Sequence, residues 1–409
     1  RDSATGYHRN REATMKVTGC ETLHCDAGWR DFSFLKLTTD EGITGVAEFN
    51  ECYGSPGLGG VIERLVANLV VGEDPMAVSR VGARLYAATR QAPGGMVQQA
   101  IAAVENALLD IKGRALGVRV CDLLGGAVRD RLELYWSHCG TYRFGPPARH
   151  IDRPPIETLD DLARLAGAIR DRGFRALKTN IFLFDEDGPR LHMPGFAASP
   201  GWPELNASPR IIDALRRQLG ALRDGAGPDM GIHLDLNFNF KTEGYLQVVR
   251  ALDDLGLTWF EIDLYDPAGL ARIRDCVRTP IASGESRFGI RGFRPYFERA
   301  SMDVAIIDIP WNGAWEGMKI AAMAEAHEVN VAPHNFYGHL STLMSAHFCA
   351  AIPNFRIMEI DIDDVPWKDD LVTVVPEIED GRLLLPPGPG WGTDLNEEAI
   401  RAHPPRRAH

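Results

Sequence analysis

Ile232-His-Leu-Asp-Leu-Asn237, Thr258-Trp-Phe-Glu-Ile262, Ile281-Ala-Ser-Gly-Glu285 and Val304-Ala-Ile-Ile-Asp308 succeed one another at short, similar intervals, each an apolar run with a carboxylate at or near its end. Apolar runs of this length read as strands buried on both faces, the habit of a parallel sheet. Working outward, Leu132–Ser137 and Ala176–Thr179 precede them, and Asn330–Ala332 and Arg356–Glu359 follow. Helical patterns over Leu159–Arg172, Arg210–Arg223, Leu246–Leu255, Trp315–Ala326 and Ser341–Ala351 fall between. About eight strand-then-helix units predict an α/β protein with a (β/α)8-type, TIM-like barrel, whose chemistry sits at the carboxyl ends of the strands. An open doubly wound sheet would want a Gly-rich phosphate turn after its first strand, and none is present.

Before the barrel the grammar differs. Lys16 to Glu48 alternates in strand fashion with turn chemistry at Asp40-Glu41-Gly42, which predicts an antiparallel meander. A Gly-rich loop, Gly54 to Gly60, leads into helical sequence, with Ile101, Val104, Leu108 and Ile111 on one stripe of a helix over Gln98–Lys112. The expected organisation is a tail over residues 1–14, an α+β capping domain over 15–130, the barrel over 131–368, and a C-terminal segment over 369–409 that returns to the capping domain. In that last segment Thr373–Val375 and Arg382–Leu385 read as short strands. The long connection Phe182 to Pro209 between the second strand and its helix reads as an active-site loop.

Composition excludes several classes. The 409 residues carry a net charge of −12 and are 45% hydrophobic. That balance suits a globular chain and disfavours nucleic acid and anionic lipid as partners. No apolar run is long enough to span a membrane, and no signal peptide is evident. Seven scattered cysteines without a Cys-x-x-Cys pair argue for reduced thiols and a cytoplasmic location.

The chemistry follows from the strand ends. Asp235, Glu261 and Glu285 close three successive strands, so a barrel would bring three carboxylates to one rim, where burial and mutual repulsion are costly. A hard divalent cation relieves that conflict, and an all-oxygen ligand set favours Mg²⁺. Asp308 and His334 end the sixth and seventh strands and would form a dyad in which the carboxylate fixes the imidazole tautomer. Glu359 ends the eighth strand. Lys178, ending the second, would face the cluster and bind a substrate carboxylate. Single carboxylates at strand ends are mostly surface or capping residues; their order on consecutive strands is what carries the argument.

These landmarks, Asp235-Leu-Asn237, Phe260-Glu261, Ser283-Gly-Glu285, Asp303-Val-Ala-Ile-Ile-Asp308 and Ala332-Pro-His334-Asn, resemble the enolase superfamily, specifically its mandelate racemase-like subgroup. Ala103-Val-Glu-Asn-Ala-Leu-Leu-Asp-Ile-Lys-Gly and Leu123-Leu-Gly-Gly extend the resemblance across nearly the whole chain. It implies that Asp235, Glu261 and Glu285 bind Mg²⁺, that His334 with Asp308 is the acid/base dyad, and that Glu359 assists the enolate. It also implies a capping domain whose loops around His24 to Arg30 and Glu51 to Gly60 select substrate, and a symmetric homo-oligomer. Trp29, Arg30, Tyr53, His24, His138 and Asn237 are candidate substrate contacts. One departure matters: where many relatives carry Lys-x-Lys, this chain has Lys178-Thr-Asn180, and an amide is no general base. A one-base mechanism follows, with a small carboxylate, a sugar acid, dehydrated to a 2-keto-3-deoxy acid. The alternatives are an epimerase, racemase or cycloisomerase on a sugar acid, lactone or anhydro-sugar acid, and a barrel that has lost catalysis.

Overall fold

The computed structural model describes residues 14–52, 54–186, 188–196 and 207–406. Residues 1–13 of the expected tail, Tyr53, and residues 197–206 of the long connection lie outside the described residues. Strands β1 (Val17–Asp26), β2 (Asp31–Thr39) and β3 (Thr44–Phe49) form the antiparallel meander. Helices α1 (Leu58–Leu65) and α3 (Gly95–Leu116) pack on it, and α2 (Val78–Thr89) packs on α3. The stripe foreseen on α3 is too narrow. Gln99, Glu105, Asn106 and Asp110 are buried as well, because α3 is enclosed between the meander and the barrel helices.

Carboxylates bolt this capping unit to the barrel. Glu48 of β3 accepts from Gly338 N (2.6 Å) and Ser341 N (2.8 Å) at the start of helix His339–Ala351. Glu105 of α3 accepts from Trp315 N (2.9 Å) and Glu316 N (3.2 Å) at the start of helix Ala314–Glu325. Helix amino termini have unpaired N–H groups and a positive dipole end, so each acid answers a local need. Burial outweighs that help and pushes both carboxyls up to about 7.

The barrel strands are β4 (Arg131–Trp136), β5 (Ala176–Thr179), β8 (Gly231–Asp235), β9 (Trp259–Glu261), β10 (Ile281–Ser283), β11 (Val304–Asp308), β12 (Asn330–His334) and β13 (Met358–Ile360), with β6 (Phe182–Asp185) and β7 (Gly188–Leu191) inserted as a separate hairpin. They pair in parallel from β4 to β12 in chain order. β13 pairs with β4, and a Val331–Phe355 bridge joins β12 to the approach of β13, closing the ring. The Phe182–Pro209 connection is therefore no bare loop. The turn that follows its hairpin, Pro194–Phe196, leans on the segment after β8, with Gly195 N bonded to Asn239 Oδ1 at 3.0 Å and Phe196 edge-on to Phe238.

Two surface helices, Pro267–Arg274 and Gly289–Glu298, escape the sequence pattern: the first is short and Arg-rich, and the second contains Pro295. The C-terminal segment divides. Strands β14 (Ile378–Glu379) and β15 (Arg382–Leu384) form a hairpin whose second strand runs antiparallel to β4, extending the barrel sheet. Thr373–Val375 is not a strand. The later part reaches the capping unit, where Trp391 donates from Nε1 to Val46 O and from its backbone N–H to Asp110 Oδ1. No described helix is long and apolar enough to cross a membrane.

Candidate active site

Alternation along the strands builds the site. Tyr135, Ala176, Trp259, Ala282, Val304, Ile306, Ala332 and Ile357 form a separate apolar cluster inside the ring. Side chains two residues further along a strand share its face. That step leads from Tyr135 to Ser137, Ala176 to Lys178, Trp259 to Glu261, Ile306 to Asp308, Ala332 to His334 and Ile357 to Glu359. The chemistry is thus one layer above a packed floor, at the carboxyl ends of the strands. Trp259 ties the layers together by donating from Nε1 to Glu261 at 3.1 Å.

Lys178 occupies the centre of the acidic group. Its Nζ lies 2.8 Å from Glu359, 3.0 Å from Glu261 and 3.4 Å from Asp235. Burial opposes its charge, but Glu261 and Glu359 outweigh burial and hold the ammonium proton well beyond the usual lysine range. Burial likewise pushes Glu261 up to about 8, against Lys178 and with the repulsion of Asp235, Glu359 and Glu285. Glu359 goes the other way. Lys178, His334 and His138 overcome its burial and hold it at about 2, so it is a carboxylate. Ser137 Oγ (2.5 Å) and Asn335 N (2.7 Å) donate to its two oxygens.

Across the mouth, His334 Nδ1 is 2.6 Å from Asp308 Oδ2, and its Nε2 is 3.6 Å from Glu285. Asp308 also accepts from Tyr337 OH (2.5 Å) and Trp311 N (2.7 Å). Burial works against the imidazolium, yet Glu285 and Asp308 raise His334 to about 10.

Of the remaining sequence candidates, Asn180 and Asn237 are brought together. Asn180 Nδ2 donates to Asn237 Oδ1 at 3.1 Å, and its own Oδ1 accepts from Thr141 Oγ1 at 2.7 Å. Trp29 and His138 pack on opposite contacts of Tyr142, at 4.5 and 4.7 Å between rings. Arg30 behaves differently from the substrate contact expected of it. It is buried, bonded to Asp361 (3.2 Å), Asp364 (2.7 Å) and Tyr142 (3.1 Å), and fastens the capping unit to the end of β13. His24 bonds Ser33 and packs edge-on to Phe49 within the capping sheet. Tyr53 falls outside the described residues.

Two acids were missed. Asp263, beyond Glu261, is raised to about 7 mainly by burial, and Asp361, beyond Glu359, is held well below the carboxylate range because His138 and Arg30 outweigh its burial. Both continue the two-residue step past the strand end, which is the signal that could have found them.

The donor chemistry fits a hard divalent cation: Asp235 and Glu261 are paired in register, Glu285 follows in the turn just beyond β10, and all three are buried oxygen donors beside one ammonium. Among the described residues no three His, Cys, Asp or Glu side chains are already gathered closely enough to cage an ion. Lys178 stands among them instead.

Comparison with known proteins places this geometry. Residues 20–125 match the mandelate racemase/muconate lactonizing enzyme N-terminal domain, and residues 161–399 match the enolase C-terminal domain-like family. A protein of Burkholderia xenovorans strain LB400, provisionally named an L-alanine-DL-glutamate epimerase and solved with magnesium and fumarate, is 53% identical, with TM-score 0.93 and 96% of each chain covered. D-xylonate dehydratase of Haloferax volcanii is 28% identical over 95% of this chain and 89% of its own length. D-galactarolactone cycloisomerase of Agrobacterium fabrum is 25% identical over 90% and 89%. With a capping unit, a closed barrel and both halves matched, the chain belongs to the enolase superfamily, as a mandelate racemase-like member.

Proposed function

We propose that this enzyme removes the proton α to the carboxylate of a small sugar acid and expels the β-hydroxyl, giving a 2-keto-3-deoxy acid. The observation that carries the reading is the asymmetry of the mouth. One imidazole is oriented by a carboxylate on one side, and the position where a second base would stand holds Asn180, an amide fixed at both ends by Thr141 and Asn237.

An α-proton beside a carboxylate is barely acidic, because its removal adds a second negative charge to the same group. Asp235, Glu261 and Glu285 would hold Mg²⁺, which would supply a Lewis acid for that charge. Lys178 adds a buried cation for the developing enediolate. His334 takes the proton at Nε2, its Nδ1–H retained by Asp308, a role worth about 10²–10⁴-fold in rate.

A second reading has a specific basis, the epimerase name of the Burkholderia protein at 53% identity. The experiment is a panel of aldonates, aldarates, their lactones and dipeptides incubated with Mg²⁺ in D₂O. Release of a 2-keto acid from an aldonate or aldarate supports dehydration. Incorporation of α-deuterium with inversion and no loss of water replaces it by epimerisation. The variant His334→Asn should abolish either activity with the fold intact.

A further inference from the structure

The barrel mouth contains a second histidine–aspartate pair that the reaction above does not use. His138 follows β4, and its Nδ1 lies 2.8 Å from Asp361 Oδ1, just beyond β13. The pair repeats the construction of His334 and Asp308: an imidazole at one strand end, held through Nδ1 by an acid from the adjacent strand. The two imidazoles share neighbours. Phe336 packs against His334 at 5.0 Å and His138 at 6.5 Å between ring centroids. Ser137, next to His138, donates to one oxygen of Glu359, and Asn335, next to His334, donates to the other.

Three observations separate this pair from an ordinary buried ion pair. His138 has φ +46°, the left-handed region, which is uncommon for any residue other than glycine and recurs at functional sites. The ring remains partly exposed, its side chain 15% accessible, while Asp361 is only 1% accessible. Asp361 is itself anchored, with Arg30 on its second oxygen and Lys368 Nζ on its backbone carbonyl. Such anchoring fixes the imidazole tautomer. With Nδ1 committed to Asp361, Nε2 is the nitrogen left to exchange protons, and no described residue bonds it.

We propose that His138 is the general acid of the dehydration, delivering a proton from Nε2 to the departing β-hydroxyl, with Asp361 as its positioning residue. The inference rests on the dehydratase reading and adds to it the group that protonates the leaving hydroxyl. The step balances. The α C–H bond breaks, its proton passes to His334 Nε2, and its electron pair forms the enediolate. That pair then forms the new C=C bond as the β C–O bond breaks. The leaving oxygen takes the proton of His138 Nε2 and departs as water. The enol becomes the 2-keto acid, and both imidazoles re-equilibrate with solvent.

The test uses the full-length enzyme with Mg²⁺ and the aldonate that the wild type turns over fastest, together with its 3-deoxy-3-fluoro analogue. Fluoride leaves without a proton, so only hydroxyl loss needs the acid. The variant His138→Gln should lose about 10²–10⁴-fold in 2-keto acid formation. It should keep α-deuterium exchange and fluoride release within a few-fold of wild type. Asp361→Asn should move the same partition in the same direction. Persistent exchange also shows that the variant site is folded. Hydroxyl loss at near wild-type rate in His138→Gln overturns the proposal, as does a parallel loss of exchange, fluoride release and water loss. A wild type that exchanges α-deuterium without losing water, or is inert to all aldonates and aldarates, overturns the dehydratase reading first; that failure is read on the wild type alone.

Discussion

Replacing Asp308 by Asn changes one oxygen to an NH₂ group, and the surroundings dictate which one. Trp311 N–H can only donate, and it points at Oδ1 from 2.7 Å. The amide oxygen must therefore occupy that place, and the NH₂ takes the position of Oδ2, facing His334 Nδ1 at 2.6 Å and the Tyr337 hydroxyl at 2.5 Å. An amide NH₂ cannot accept, so Nδ1 must give up its proton and become the acceptor. The neutral imidazole then carries its proton on Nε2, the atom that should receive the α-proton. Nothing is displaced, yet the base is in the wrong tautomer. The same change in a serine-protease triad costs about 10⁴ in rate, equivalent to about 5.4 kcal/mol of barrier at 1.36 kcal/mol per decade. We expect Asp308→Asn to slow α-deuterium exchange by about 10³–10⁴-fold while the thermal midpoint moves only a few degrees. The assay is the disappearance of the α-proton NMR signal in D₂O with saturating Mg²⁺. Because the two residues act as one unit, Asp308→Asn combined with His334→Asn should be no slower than His334→Asn alone. A loss below tenfold in the single variant, or additive losses in the double variant, would refute the tautomer argument.

Three other outcomes follow from the charges. Lys178→Met leaves Asp235, Glu261 and Glu359 uncompensated and should destabilise the metal-free protein by about 3–5 kcal/mol; excess Mg²⁺ should recover part of the lost thermal midpoint, and a midpoint equal to wild type would contradict the central place given to the ammonium. Glu261→Ala should weaken Mg²⁺ binding in titration calorimetry, whereas unchanged affinity would remove Glu261 from the ligand set. Glu105, raised from 4.5 to about 7, binds its proton more tightly in the folded protein. Its contribution to stability is therefore complete below pH 4.5 and is lost as pH rises through about 7, amounting to about 3 kcal/mol. Glu105→Gln can keep both bonds to Trp315 and Glu316 through its carbonyl oxygen, so its melting temperature should fall less than that of wild type between pH 5 and 8. Parallel profiles would show that Glu105 is already ionised when folded.

Legibility in the sequence tracked the range of the interaction. A strand end is a local event, an apolar run stopping at an acid, and so Asp235, Glu261, Asp308 and Glu359 could be placed before their neighbours were known. Arg30 could not. Its partners Asp361 and Asp364 are more than three hundred positions away, and nothing local distinguishes a guanidinium that locks two units together from one that awaits a substrate. Asp110 and Glu105 pose the same difficulty: on α3 they look like solvated positions, and only partners distant in sequence bury them, the start of helix Ala314–Glu325 for Glu105 and the backbone N–H groups of Val46 and Trp391 for Asp110. In sequence the hairpin over Phe182–Leu191 looks like loop because its Gly188-Pro189 pair reads as a break, whereas these residues lie on the second strand of a two-stranded ribbon. Local pattern thus located the strand ends, but only the fold supplied the pairing that decides each charge. That explains why His138 stood among weak substrate candidates. Its own segment, Ser137-His-Cys-Gly140, is unremarked, and its chemical character comes from Asp361 on the strand that closes the barrel. A histidine becomes an acid/base group by what holds its other nitrogen, and in a closed barrel that holder can come from the opposite end of the chain.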